Sequence, residues 1–324
     1  MKHRVVFLDD EGIGPGVITP ELPFDHDWVS YPYTQPEQLV ERLKGATVAL
    51  TCSVPLREEH LAQLPDLQMI SLALTGTDIV DLDYCRAHGI KVTNVPGYAT
   101  NTVAEHSIGM MFELFRRVSS YHRLMQQVHS GAREAKNIYF DFPIRDLRSR
   151  VLGIVGNGPI AKRVAELGRA IGMSVIFHDR GGRYSGPNFV SLDVMLQRSD
   201  VLMINCPLTE ETRDLIDAPQ LAQMKPDAVI VNTGRGGVIN EAALIEAMEQ
   251  GRLGGAALDV IEHEPPQADN PIFRLINHPN FILNPHVAWS SQDAMQGLID
   301  QALGNIAQFV NSTPTEALRA GAAR

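Results

Sequence analysis

The sequence of 324 residues predicts an α/β protein of two doubly wound parallel-sheet domains. Three observations carry that prediction. Strand-like apolar runs alternate with helix-like segments along most of the chain, a pattern that lays strands side by side with helices on both faces. The length exceeds what one hydrophobic core ordinarily serves, so two domains are expected. Finally, VLGIVGNGPIA at 151–161 reads as strand, tight glycine turn and helix.

Composition narrows the class of protein. Hydrophobic residues make up 44% and charged residues 20%, as in folded enzymes, and no apolar run approaches the length that spans a bilayer. A net charge of −10 argues against a nucleic-acid partner, whose phosphates demand a basic surface. The apolar run of MKHRVVFLDD stops against two aspartates and reads as a core strand instead of a signal peptide. Cys52, Cys85 and Cys206 have no metal-ligand or redox spacing, which fits a reducing compartment, and the cytoplasm is the expected location. No metal site is expected. Cys52 and Cys206 end expected strands without a basic neighbour in sequence, so both read as small buried hydrophobes.

In chain order, residues 4–8 (RVVFL) form a buried strand, followed by a loop rich in glycine at 12, 14 and 16. Residues 36–43 have helical spacing and 47–52 form a strand. Then come a short helix at 58–63, a strand at 69–74, a helix at 81–88 and a strand at 91–94. Residues 101–129 lack an internal proline and predict one long helix that crosses between domains, with Thr100 or Asn101 as its cap and Glu105 in its first turns. An irregular connection over 131–150 leads to the second alternation. Its strands are expected at 151–155, 174–178, 201–204, 228–231, 255–259 and 281–283; its helices at 159–171, 191–197, 218–224 and 240–250. A closing helix over 291–311 suggests a chain that starts in one domain, builds the other and returns.

The glycine turn has a specific chemistry. Gly156 and Gly158 let backbone approach a pyrophosphate, and Pro159 opens a helix whose free N–H groups and dipole attract it; Ala161 takes the third glycine position. Asp179 closes the next strand about 20 residues on, where a carboxylate accepts from a ribose hydroxyl. The alternative is an ordinary strand-to-helix turn. The TGTD segment at 75–78 follows a strand without bulky side chains. It reads equally as a simple turn or as a row of N–H groups at Leu74, Thr75, Gly76 and Thr77 facing an anion.

Three further loops carry polar residues beyond strand ends. VNTGRGGVIN (231–240) places Arg235 between glycines, where its planar fork suits a carboxylate; the bland alternative is a surface arginine paired with Asp259. ALDVIEHEPP (257–266) offers Asp259 and a proline-restricted Glu264, and NPHVAWSS (284–291) offers His286. One arginine, one histidine and one acid are what reduction of a 2-oxo acid needs. The arginine binds the carboxylate, the histidine protonates the carbonyl oxygen, and the acid stabilises the imidazolium.

These blocks, with LPDLQMISLALTGTDIVDLDYCRAHGIKVTNVPGYATNTVAEH at 64–106, CPLTEETRDLI at 206–216 and MKPDAVIVNTGRGGVINEAAL at 224–244, resemble the D-isomer specific 2-hydroxyacid dehydrogenases, most closely their glycerate dehydrogenase or hydroxypyruvate reductase type. The resemblance implies two Rossmann-like domains with the active site in the cleft between them: residues 1–99 plus 287–324 bind substrate and residues 100–286 bind NAD. It implies catalytic roles for Arg235, Glu264 and His286 and a carboxylate-holding loop at Leu74–Thr77. It also implies cofactor contacts at Thr102, Gly156, Gly158, Pro159, Ile160, Asp179, Cys206, Pro207, Thr233, Gly234, Arg235, Asp259 and His286, with Asp259 on the nicotinamide carboxamide. A homodimer through the long helix is implied as well.

There are departures. Ile79 stands where the family often has asparagine, TCSVPL at 51–56 replaces a version with a polar or basic side chain near Ser53, and Gly234 replaces alanine. Arg180 and Arg183 tolerate a 2′-phosphate, but Asp179 repels one, so NAD is expected over NADP. The expected activity is interconversion of glycerate and hydroxypyruvate or of glycolate and glyoxylate. A dinucleotide-sensing binding protein of the corepressor kind is the alternative, and formate oxidation is disfavoured because it needs no acid such as the Glu264 and His286 pair.

Overall fold

A computed structural model of the protein describes residues 2–184 and 186–312. The chain divides into two units: residues up to Ala99 together with the chain from Ser290, and Thr100–Trp289. In the first, β1 (His3–Phe7), β2 (His26–Ser30), β3 (Val48–Thr51), β4 (Met69–Leu72) and β5 (Lys91–Thr93) form a parallel sheet in the order β2-β1-β3-β4-β5. Alternate residues supply two cores. Val6, Leu8, Ala49, Ile70 and Leu72 pack with α1 (Leu39–Leu43), α2 (Glu58–Leu61) and α3 (Leu82–Ala87). Val5, Phe7, Val48, Leu50 and Met69 pack with Leu298, Ile299, Leu303 and Ile306 of the closing helix, Gln292–Ser312. Those four aliphatic side chains are at most 3% exposed, and each contributes roughly 1.5–3 kcal/mol by burial. Closing the long connection costs less, because loop entropy grows only logarithmically with length.

The second unit opens with α4 (Thr100–Arg116) and α5 (Val118–His129). Its strands are β6 (Val151–Val155), β7 (Ser174–His178), β8 (Phe189–Val190), β9 (Val201–Ile204), β10 (Val229–Asn232), β11 (Gly255–Leu258) and β12 (Phe281–Leu283). They pair in parallel in the order β12-β11-β10-β9-β6-β7-β8. Helices α6 (Pro159–Ala170), α7 (Leu192–Arg198), α8 (Ala218–Leu221) and α9 (Glu241–Glu249) connect them. Strand order reverses between β6 and β9, which opens a crevice beyond their carboxyl ends where such sheets bind ligands. Side chains of α4 and α6 cover one face through Met111, Leu114, Phe115, Val164 and Ala165; α7, α8 and α9 cover the other.

Two features differ from the sequence expectation. The helix expected over 101–129 is two helices, broken at Arg117, which adopts φ 59°. No glycine or proline marks the break. Its cause is tertiary: the Arg117 side chain turns inward, 3% exposed, and donates to Pro279 O (3.2 Å). Strands β2 and β8 also escape the sequence pattern, because both are edge strands of which no residue is fully buried.

At the amino ends of β6 and β9, Asp200 accepts from Val151 N–H (2.8 Å), Lys225 Nζ (3.0 Å) and Arg150 Nη1 (3.3 Å). Burial pushes its pKa up, but these donors and positive charges outweigh burial and hold it below the ordinary carboxylate value. A depressed carboxylate stabilises the fold above its unfolded pKa, and the contribution is lost as pH falls through the folded one. Asp200→Asn is therefore expected to lower stability at pH 7 by roughly 1–3 kcal/mol. In urea titrations the gap to wild type closes as pH drops below about 4; a gap that persists in acid overturns the assignment.

Candidate active site

The crevice between β6 and β9 is built for close backbone approach. Gly156 takes φ 126°, and a Cβ there would lie 2.4 Å from Asn205 O, so the turn after β6 admits no side chain. Gly158 caps α6 without a side-chain hydrogen bond, and no atom lies within 4 Å of where its Cβ would be. Pro159 has no N–H, and helix geometry leaves the N–H groups of Ile160 and Ala161 without intrahelical acceptors. Ala161 is fully buried in the core shared with β6, and a Cβ on Gly168 would meet Leu152 at 2.6 Å, so small residues hold α6 against the strand. Asn205 Oδ1 is buried and unpartnered among the described residues. Open backbone, a free helix terminus and an orphaned polar atom in one crevice fit a dinucleotide.

Beyond β7, Asp179 accepts from Gly182 N (3.0 Å) and Tyr184 N (3.1 Å), which turns its carboxylate onto its own loop. Cys206 is 5% exposed and burial pushes its thiol up to about 11, in keeping with a small buried residue. Pro207 O accepts from Thr212 Oγ1 (2.8 Å), which fixes the loop after β9.

The arginine loop after β10 is held by residues without a sequence signal of their own. Asn232, 2% exposed, donates through Nδ2 to Arg235 O (2.9 Å) and accepts from Gly234 N (3.0 Å). Thr233 Oγ1 accepts from Asn205 Nδ2 (3.0 Å) and donates to Ser107 Oγ (2.7 Å), which donates to Val103 O (2.6 Å). This chain ties β9, β10 and α4 together at the crevice. Arg235 itself is exposed and bonds Gly234 O (2.8 Å); Asp259 is occupied elsewhere. A Cβ on Gly236 would sit 1.9 Å from Ile261 O, so the arginine loop abuts the backbone that carries Glu264.

Glu264 and His286 meet directly. Glu264 Oε1 accepts from Ile261 N (2.9 Å), and Oε2 receives His286 Nδ1 (2.7 Å). With Nδ1 so used, Nε2 is the ring nitrogen left for chemistry. The histidine adopts φ 55°, an unfavourable conformation held from behind. Asp259 supplies the hold: its carbonyl accepts from His286 N (2.8 Å), Oδ1 from Val287 N (3.0 Å) and Oδ2 from Ala288 N (2.9 Å). Thr102 Oγ1 donates to Ala288 O (3.3 Å). The Asp259 side chain is 1% exposed, and its carboxylate braces the histidine loop through these N–H groups. Behind it, His106 Nε2 lies 3.6 Å from Asp259 Oδ1 and accepts from Asn284 Nδ2 (3.0 Å). Sequence reasoning passed over His106, Asn284, Asn232 and Ser107; the first three were visible only as places inside AEH, NPH and VNTGRGG, and Ser107 lies outside every motif.

The TGTD loop belongs to the first unit. Leu74 O accepts from Val95 N (3.0 Å), Thr75 Oγ1 donates to Val95 O (3.2 Å) and Thr75 O accepts from Asn94 Nδ2 (2.7 Å). These bonds anchor the turn that carries Gly76 and Thr77.

Residues 108–288 match the family model of the D-isomer specific 2-hydroxyacid dehydrogenase NAD-binding domain. The chain is 41% identical to a glycerate dehydrogenase of Methylorubrum extorquens, over 99% of this chain and 100% of that protein. It is 30% identical to a hydroxypyruvate reductase of Blautia hydrogenotrophica, over 96% and 98%. Among solved structures, a D-lactate dehydrogenase from Aquifex aeolicus in complex with NAD and lactic acid matches with TM-score 0.76 and 28% identity over 95% of each chain.

Proposed function

The chain belongs to the D-isomer specific 2-hydroxyacid dehydrogenase family and is an NAD-dependent oxidoreductase, and from that premise we propose that it interconverts D-glycerate and hydroxypyruvate or glycolate and glyoxylate. The observation that carries the proposal is the His286–Glu264 contact at 2.7 Å, with Glu264 itself fixed by Ile261 N. Such a pair is an acid/base device, because the carboxylate orients the ring and favours the imidazolium that proton transfer creates. The 41% identity to a glycerate dehydrogenase supports the substrate class.

In the proposed reaction Arg235 holds the carboxylate of the 2-oxo acid and polarises its carbonyl, and His286 Nε2 delivers the proton to the carbonyl oxygen. The bound nicotinamide supplies the two-electron reducing equivalent for the neighbouring carbon. Glu264 balances the charge that moves on and off the imidazole. Asp259 is assigned the nicotinamide carboxamide as well as the bracing of the His286 loop, and the backbone of Leu74–Thr77 is assigned the substrate carboxylate. Gly156, Gly158, Pro159 and Ile160 would hold the pyrophosphate, Asp179 the adenosine ribose, Cys206 and Pro207 the adenine side, and Thr102, Thr233 and Gly234 the nicotinamide side.

We further place the protein in the cytoplasm as a homodimer. The second unit exposes apolar side chains at Val118 (66%), Met125 (50%), Ile138 (65%) and Phe140 (89%), which supports association of two copies through this face. No described helix is long and apolar enough to cross a membrane.

The test is NADH oxidation with hydroxypyruvate, glyoxylate, pyruvate and larger 2-oxo acids. Hydroxypyruvate or glyoxylate is expected to give the highest kcat/KM. A preference for pyruvate or larger acids overturns the substrate assignment, and tight NADH binding without turnover of any acid favours the sensor.

A further inference from the structure

Asp179 alone does not explain how this site treats a 2′-phosphate, because two arginines follow it directly. Arg180 and Arg183 flank the loop beyond β7 and line a cavity of about 370 Å³ with His178 and Glu211. Left free, two guanidinium groups beside a ribose site would be a seat for a phosphate. They are not free. Arg180 Nη2 pairs with Glu211 Oε2, and Arg183 Nη2 lies 3.6 Å from Glu211 Oε1, so one carboxylate engages both.

Glu211 sits on a braced loop. Thr212, 1% exposed, accepts from Thr209 N (2.7 Å) and donates to Pro207 O (2.8 Å), which sets where the preceding glutamate points. The pair is poorly explained as a fold-stabilising device: Glu211 and Arg183 are each 60% exposed, and exposed ion pairs contribute little. Charge decides the rest. Asp179 and Glu211 carry two negative charges against the two arginines, and His178 adds none at neutral pH because burial holds its pKa below the ordinary value. The patch is neutral as built; without the Glu211 charge it is cationic.

We propose that Glu211 is a determinant of NAD over NADP preference, acting by occupying the two arginines that would otherwise take a 2′-phosphate. This rests on the dinucleotide reading of the site. A phosphate adds nearly two negative charges, so it must displace Glu211 and meet its repulsion as well as that of Asp179. NADH carries a hydroxyl there and meets neither penalty.

The test is fluorescence titration of the wild-type protein and Glu211→Gln with NADH and NADPH, which reads binding without turnover. Glutamine keeps the size and removes the charge. The NADPH-to-NADH affinity ratio is expected to rise roughly 10-fold, with NADH affinity within about threefold of wild type. Adding Arg180→Ala and Arg183→Ala together is expected to erase most of the gain. An unchanged ratio with NADH binding intact overturns this proposal alone, as does a gain that survives removal of both arginines. A wild-type protein that binds neither dinucleotide overturns the cofactor reading and this proposal with it.

Discussion

Replacing His286 by asparagine is expected to lower kcat by roughly 100- to 10,000-fold, the range that a positioned acid contributes. Asparagine is the informative choice because His286 holds φ 55°, a conformation that asparagine tolerates and alanine resists. It keeps the backbone strain comparable while removing the titratable ring. NADH affinity, read by fluorescence, is expected to stay within about threefold, since the pyrophosphate and ribose contacts are proposed at Gly156, Gly158, Pro159, Ile160 and Asp179, away from this loop. Equal losses in kcat and NADH affinity would show that the residue shapes the loop and does not transfer the proton.

The second large effect is expected at Arg235. Its loop is clamped by Asn232 and pressed by Gly236 against Ile261, so the guanidinium is presented by rigid backbone. Arg235→Gln removes the charge and the planar fork proposed to hold the substrate carboxylate, and kcat/KM for the 2-oxo acid is expected to fall roughly 100- to 10,000-fold. Arg235→Lys keeps the charge and loses the fork, so it is expected to recover less than about a tenth of wild-type activity. Lysine activity near wild type would mean that charge alone is used. NADH binding again serves as the control, because loss of binding in either variant would place the fault in the loop.

Much of the candidate site was legible because it lies where strands end. The run into Gly156, the acid at Asp179 and the loops of Arg235, Glu264 and His286 each announce themselves by a local pattern of apolar run, glycine or proline, and polar residue. What supports them was not. Asn232, Ser107 and His106 look like ordinary polar residues in a strand end and a helix; Asn232 bonds its own loop, while the other two take their roles from partners 126 residues away for Ser107–Thr233 and 178 for His106–Asn284. Asp259 shows the same gap from the other side: its place was evident, but that its carboxylate is buried against two backbone N–H groups was not. Glu211, which carries no signal of its own in the sequence, acquires meaning only from the two arginines it meets.

The sequence by itself determined the alternation of strands and helices, the parallel sheets and the chemistry that the site carries, because these depend on periodicity and on residue type within short windows. Only the tertiary structure decided the break at Arg117, the edge strands, the clamp on Arg235 and the hold on His286. The break at Arg117 and the hold on His286 rest on buried polar groups whose partners are chosen by the packing of elements distant in the chain; the edge strands are settled by the neighbour each pairs with, and the clamp on Arg235, though local in sequence, depends on the burial of Asn232 at the end of β10.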